Sequence, residues 1–165
     1  MNRFEDHEHR ELLPVEEEAQ GLLLEWLARD VRGHVALFTA LAPGDVSPDV
    51  LDQLDEHRRA LAAILGTAPP TTRSVFGPPV GNERGERWRA LVERGLFVFA
   101  AHRSGGPYWI AEAPLLPLRL LDLPPAAREL VAAQPPVALP FKHVASLMPE
   151  NVSIPSRSGS GRRPS

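Results

Sequence analysis

The groups in this chain best suited to proton transfer near neutral pH are its six histidines, since imidazole is the side chain that ordinarily titrates there. His34, His57, His102 and His143 each stand alone in the sequence. General acid–base work would need one of them within hydrogen-bond reach of a carboxylate. A cleft joining His34, His102 or His143 to Asp30 or Glu112 would supply that pair, and with it a small hydrolase or ligand-binding enzyme. His57 belongs to Asp55-Glu56-His57-Arg58-Arg59, a charged run that reads as the wet face of a helix. His102 and Arg103 fall in a turn, where exposure is the rule.

Metal chemistry has one near-match, His7-Glu8-His9-Arg10-Glu11. On a helix His7 and Glu11 share a face, and on a strand His7 and His9 do. The segment is too polar for packing to hold such ligands still, so it reads as a solvated arm. Cysteine is absent, which removes disulfides, thiolate catalysis and cysteine-based metal sites together. The chain carries no phosphate-binding glycine loop, dinucleotide fingerprint, nucleophile elbow or His-Glu-x-x-His motif. The expectation is therefore a protein without catalytic residues, metal or cofactor that works by binding.

The aromatic residues suit that purpose. Trp26, Trp88, Tyr108 and Trp109 fall on different predicted elements, as core residues usually do. Tyr108 and Trp109 are neighbours on a predicted strand, so their side chains take opposite faces. One of them faces outward or onto a covered second face. Tyr108 and Trp109, with His102 and Arg103 in the turn before them, form the candidate binding group. The formal net charge is −3, unevenly spread. Residues 1–18 carry seven acids and two arginines, a net −5 that suits capture of a basic protein. Seventeen of the eighteen basic residues are Arg, Lys142 being the exception. They are scattered, which fits the codon bias of a GC-rich bacterial genome better than phosphate recognition. Without a basic stripe no nucleic-acid partner is expected, and no apolar run reaches the roughly 18 residues of a membrane span. An acidic start where a signal peptide would be basic, then apolar, predicts a cytoplasmic protein.

These residues need a scaffold, and the pattern predicts one. Residues 1–18 read as an acidic flexible arm, 19–154 as a single α+β domain, and 155–165 as a disordered basic tail. Residues 23–28 read as a strand, or alternatively 16–29 as an amphipathic helix. The Asp30-x-x-Gly33 spacing and the β-forming run His34–Thr39 favour a hairpin. Ser47 caps a helix over 48–65 that Gly66 ends, with Val46 and Leu51 at the positions of a hydrophobic staple. Asn82 caps a second helix over 83–94, stopped by Gly95. Strands follow over 96–101 and 107–111, with short strands over 118–120 and 137–141 flanking a last helix that starts near Leu123. With no regular strand–helix alternation, the expectation is an antiparallel sheet of about four to six strands with two to three helices on it.

Three stretches carry a resemblance: Asp30-Val-Arg-Gly-His-Val-Ala-Leu-Phe-Thr39 followed by Pro48; Arg94-Gly-Leu-Phe-Val-Phe99; and Gly106-Pro-Tyr108 leading to Pro114, Pro117-Leu118 and Leu123-Pro124. Over about residues 22–125 the chain resembles a loosely defined group of small bacterial proteins associated with immunity-type and toxin-neighbour proteins. The shared motifs are turns and strands, so the resemblance implies an immunity-like binding role and no activity. Where that group tends to show an acidic or aromatic pair after the Gly-Leu-Phe strand, this chain has Ala100 and Ala101.

Overall fold

The computed structural model describes residues 23–41, 46–76, 81–101 and 107–152. The acidic arm, the basic tail and the turn holding His102 and Arg103 lie outside them. Strands β1 (Leu24–Arg29) and β2 (Val35–Ala40) form the predicted hairpin. Gly33 takes φ +84° in its turn, a backbone region that suits glycine. Helices α1 (Pro48–Leu51), α2 (Leu54–Thr67) and α3 (Glu83–Val92) precede β3 (Phe97–Ala101) and β4 (Tyr108–Glu112). Helix α4 (Pro125–Ala132), β5 (Ser146–Leu147) and α5 (Pro149–Val152) complete the described elements. The strands form one α+β sheet in the order β1-β2-β3-β4-β5, antiparallel at every pairing except β2 with β3. That pair is parallel because helices fill the connection between them and return the chain to the same end of the sheet.

Alternation along the strands sorts the apolar residues into two cores. Leu27, Val35, Leu37, Val98 and Ala100 face the helices, meeting Leu61 and Ile64 of α2, Trp88 and Leu91 of α3, and Val131 of α4. Trp26, Phe38, Phe97, Phe99 and Tyr108 face the other way, where Val50 and the segment carrying Val137, Phe141 and Leu147 cover them. The two middle strands are buried along their whole length, which is why they read as unbroken apolar runs.

Local signals placed most boundaries. Ser47 Oγ accepts from the Val50 amide, and Asn82 Oδ1 from that of Gly85. The long helix differs from its expectation in two ways. It is broken at Asp52–Gln53, so that Leu51 packs toward the second core while Leu61 and Ile64 join the first. It also runs through Gly66 to Thr67 and stops before Pro69 and Pro70, the residue ahead of a proline being pushed out of helical geometry. The strands expected over 118–120 and 137–141 are absent. Arg119 and Val137 make single bridges, to His34 and Asp30 respectively, and Leu120–Asp122 and Phe141–His143 are 3-10 turns. Single bridges suffice there because side-chain packing already holds both segments.

Asp30 is fully buried and its carboxylate accepts three backbone N–H groups. Oδ1 takes those of Arg32 and His34 at 2.9 Å each, and Oδ2 that of Phe141 at 2.8 Å. Asp30→Ala strands all three and should reduce stability by about 3 kcal/mol or more in a denaturant titration. Gly95 has φ +97°, and a Cβ there would lie 2.5 Å from Leu118 Cβ and 2.7 Å from its backbone nitrogen. Gly95→Ala should therefore cost roughly 2 kcal/mol or more, a fall in melting midpoint of at least about 4 °C. Gly66, helical and with open space at its Cβ position, should do the reverse. Gly66→Ala should add up to about 1 kcal/mol.

Candidate functional site

The candidate aromatic pair separates as alternation requires. Tyr108 goes inward, fully buried, its ring edge-on to Trp26 at 5.9 Å and to Phe38 at 5.3 Å. It therefore belongs to the second core rather than to a binding surface. Trp109 stands opposite Ala100 on the helix-facing side and keeps 37% of its surface exposed.

Two residues further along, the register shifts. Phe99 pairs with Ile110 but Val98 with Glu112, leaving Ala111 as an extra residue. This bulge turns Glu112 onto the helix-facing side, which an unbroken strand would not do. There its carboxylate is bound from two elements. Ser74 Oγ donates to Oε1 at 2.6 Å, and Arg89 of α3 reaches Oε1 and Oε2 at 3.3 and 3.2 Å. The bonds pull the 72–76 segment against the chain beyond β4. Ser74 bridges Pro114, the Val75 amide donates to the Ala113 carbonyl, and the Leu115 amide to that of Arg73.

The result is a short antiparallel ribbon whose inward residues, Ser74 and Pro114, are buried. Its outward residues include Val75, opposite Ala113, and Leu115, opposite Arg73. Val75 and Leu115 are diagonal neighbours, a spacing at which side chains reach one another. Phe76 and Leu116 extend the exposed set, Leu116 being 64% exposed. On sequence, Val75 and Phe76 would tack the proline-rich connector of residues 67–81 to the core, but both are exposed. Leu115 and Leu116 went unmarked because a Pro-flanked Leu-Leu has no periodicity. The signal available was an apolar pair in a segment with no predicted element to bury it.

The histidines take other roles. His34 Nδ1 lies 3.8 Å from Asp30 Oδ2, beyond hydrogen-bonding distance, and both Asp30 oxygens already hold backbone amides. Burial lowers the His34 pKa, opposed by Asp30 and reinforced by Arg119, Lys142 and Arg32. His143 is exposed. Glu112, the other candidate acid, is committed to Ser74 and Arg89.

His57 departs furthest from its expectation: it is fully buried, not on the wet face. It shares a stripe with Ala60, Leu61 and Ile64, a spacing that the flanking charges masked. Its Nδ1 accepts the Leu27 amide at 3.0 Å, while Gln134 Nε2 donates to the Leu27 carbonyl at 3.1 Å. Between them they satisfy Leu27 on the outer edge of β1, which no further strand covers among the described residues. With Nδ1 accepting, the neutral ring carries its proton on Nε2, which is buried without a hydrogen-bond partner among the described residues.

Along the same edge, Trp26 and Ala28 line a cavity of about 370 Å³ shared with α1, with the turn after it, with residues 133–135 and with Val152. Among the described residues no group of three His, Asp or Glu side chains is placed to hold a metal ion, and no helix is long and apolar enough to cross a membrane. No family model matches the chain, and neither does any curated protein or solved structure.

Burial pushes the His57 pKa down to about 4, from an ordinary 6.5. The unfolded chain therefore binds the proton more readily, and stability is complete above pH 6.5 and lost as pH falls toward 4. Between pH 7 and 4.5 this residue alone should remove on the order of 2 kcal/mol. His57→Asn keeps an acceptor for Leu27 but does not titrate. Denaturant titrations at the two pH values should show a smaller acid loss for the variant by about that amount. Equal losses in both proteins would exclude His57 as the cause.

Proposed function

We propose that this chain is a cytoplasmic, immunity-like protein-binding module that holds a partner protein against Trp109 and the ribbon of residues 73–76 and 113–116. The observation that carries the reading is the exposure of Val75, Phe76, Leu115 and Leu116 from two segments bonded side by side. Single exposed apolar side chains are ordinary, whereas neighbouring ones mark surfaces that another molecule covers. Trp109, on the helix-facing side, adds the residue type that most often anchors such contacts. The net −5 of residues 1–18 supports a basic partner, drawn in by long-range attraction that salt weakens.

The full chain, used as bait in a lysate of its native host with the retained proteins read by mass spectrometry, tests this. At low salt the wild type should retain a basic protein, and less of it as salt rises. A Trp109→Ala, Leu116→Asp variant should lose it. Trp109 keeps only 37% of its surface exposed, so the melting midpoints of both baits are measured. A Leu116→Asp single variant, at a side chain 64% exposed, should match the wild-type midpoint within a few degrees and still lose the partner. Retention of nothing by the wild type, or of the same proteins by the variant, would refute the reading.

A further inference from the structure

The turn between β1 and β2 shares no residue with the ribbon or with Trp109, so a site there stands apart from the role proposed above. The basic residues are scattered along the sequence, yet folding gathers two arginines and the single lysine at this turn. Arg32 lies in the turn itself. Arg119 comes from the stretch after β4, where it bridges His34 and its Nη1 donates to the Arg32 carbonyl at 3.0 Å. Lys142 follows Phe141, whose amide donates to Asp30 Oδ2 at 2.8 Å. All three cations are exposed, and the chain on both sides of each is among the described residues.

Bringing like charges together costs free energy, and the acids beside them do not pair with them. Asp30 is fully buried and its oxygens are used on three backbone amides. Asp122 takes the Arg119 backbone amide at 3.3 Å. Neither acid forms an ion pair with Arg32, Arg119 or Lys142. His34 is a second, independent sign. Its side chain is 10% exposed, and Nδ1, 3.8 Å from Asp30 Oδ2, is buried with no hydrogen-bond partner among the described residues. With Nδ1 shut inside, the open tenth of the ring is its other side, which carries Nε2. The Phe97 ring of β3 lies 6.1 Å away. Burial lowers the His34 pKa against the pull of Asp30, and Arg119, Lys142 and Arg32 lower it further. The three cations therefore act on this imidazole from three separate segments.

An anion set among these groups meets two guanidiniums, an ammonium and an imidazole. Its charge offsets the cations, so the ring can hold a proton on each nitrogen, Nδ1–H toward Asp30 and Nε2–H outward. Cationic donors from three segments match a group with three acceptor oxygens better than the two of a carboxylate, and arginine forks suit such oxyanions. We propose that Arg32, Arg119, Lys142 and His34 form a binding site for a phosphate monoester.

The test is a titration of the full chain in phosphate-free buffer, followed by ¹H–¹⁵N and ¹H–¹³C NMR, with three probes. These are acetyl-phosphoserine methylamide, glycerol 1-phosphate and acetyl-glutamate methylamide, the last a carboxylate of similar reach. Both phosphates should give saturable shifts at the Arg32, Arg119 and Lys142 amides, and the glutamate probe should bind at least about tenfold more weakly. Tighter binding of the blocked phosphoserine identifies the ligand as a modified side chain on another polypeptide, and the reverse order as a free organic phosphate. Saturating phosphate should also raise the midpoint of the His34 ring titration by at least about half a pH unit, because it offsets the cations that hold it down. An Arg32→Gln, Lys142→Gln variant should lose at least about tenfold in affinity for both phosphates. Both side chains are exposed, so its melting midpoint should stay within a few degrees of wild type. Arg58→Gln, Arg59→Gln on α2 removes the same charge elsewhere and should change affinity by less than about twofold. Equal binding of the glutamate probe, shifts that never saturate, an unmoved His34 midpoint, undiminished binding by the first variant, or equal losses in the two variants would each overturn the proposal.

Discussion

One buried carboxylate holds the two halves of this fold in register. An ionised group inside a protein is costly unless its lone pairs are used, and Asp30 spends its own on three backbone amides. Two come from its own turn and shape the hairpin. The third comes from Phe141, more than a hundred residues later. That last bond fixes where the C-terminal segment crosses the sheet, and the Phe141 ring then packs on Phe38, Phe97 and Phe99 at 5.4–5.9 Å. The second face of the sheet is thus closed by a loop hung from a turn, where the first is closed by helices. Arg119 Nη1 on the Arg32 carbonyl and the Leu120 amide on that of Gly33 bind a further segment to the same turn.

The edges of the sheet explain where surface is left open. An edge strand exposes backbone donors and acceptors that other chains can pair with. Here side chains satisfy β1 at Leu27, and the Val137 amide takes the Arg29 carbonyl. The cavity lined by Trp26 lies along this same edge. At the other side of the sheet the bulge at Ala111 aims Glu112 at Ser74 and Arg89. The bonds that satisfy this carboxylate bring two proline-rich segments together and push their apolar side chains outward. In both places a buried polar requirement, met by long-range bonds, determines what the surface offers.

Arginine does much of the corresponding work between helices. Arg94 donates to the carbonyls of Ala68 and Ala90, so one guanidinium serves the C-terminal ends of α2 and α3. Arg87 of α3 reaches Glu25 of β1 at 2.6 Å. A planar fork with several donors suits carbonyl ends that a lysine would satisfy singly. The abundance of arginine that in sequence reads as codon bias is thus put to structural use at particular positions.

Local chemistry alone specified the hairpin, the capped helix starts, the glycine at each positive φ and the α+β character, because each rests on residues within a few positions of one another. Ser47 reaches the amide of Val50 and Asn82 that of Gly85 whatever the rest of the chain does. The opposed fates of Tyr108 and Trp109 were legible for the same reason, since alternation is a property of the strand itself. Which of the two faces inward was not, because that depends on what covers each side of the sheet. His57, Glu112 and the exposed ribbon were hidden more deeply. The burial of His57 follows from a β1 edge thirty residues away that needs an acceptor, and the orientation of Glu112 follows from a bulge set by its pairing with β3. Asp49, read in sequence only as a favourable charge at a helix start, gains its place in a cavity because β1 and the segment after α4 are brought up beside it. Such facts depend on distances between segments remote in sequence, and only the closed tertiary structure decides those distances.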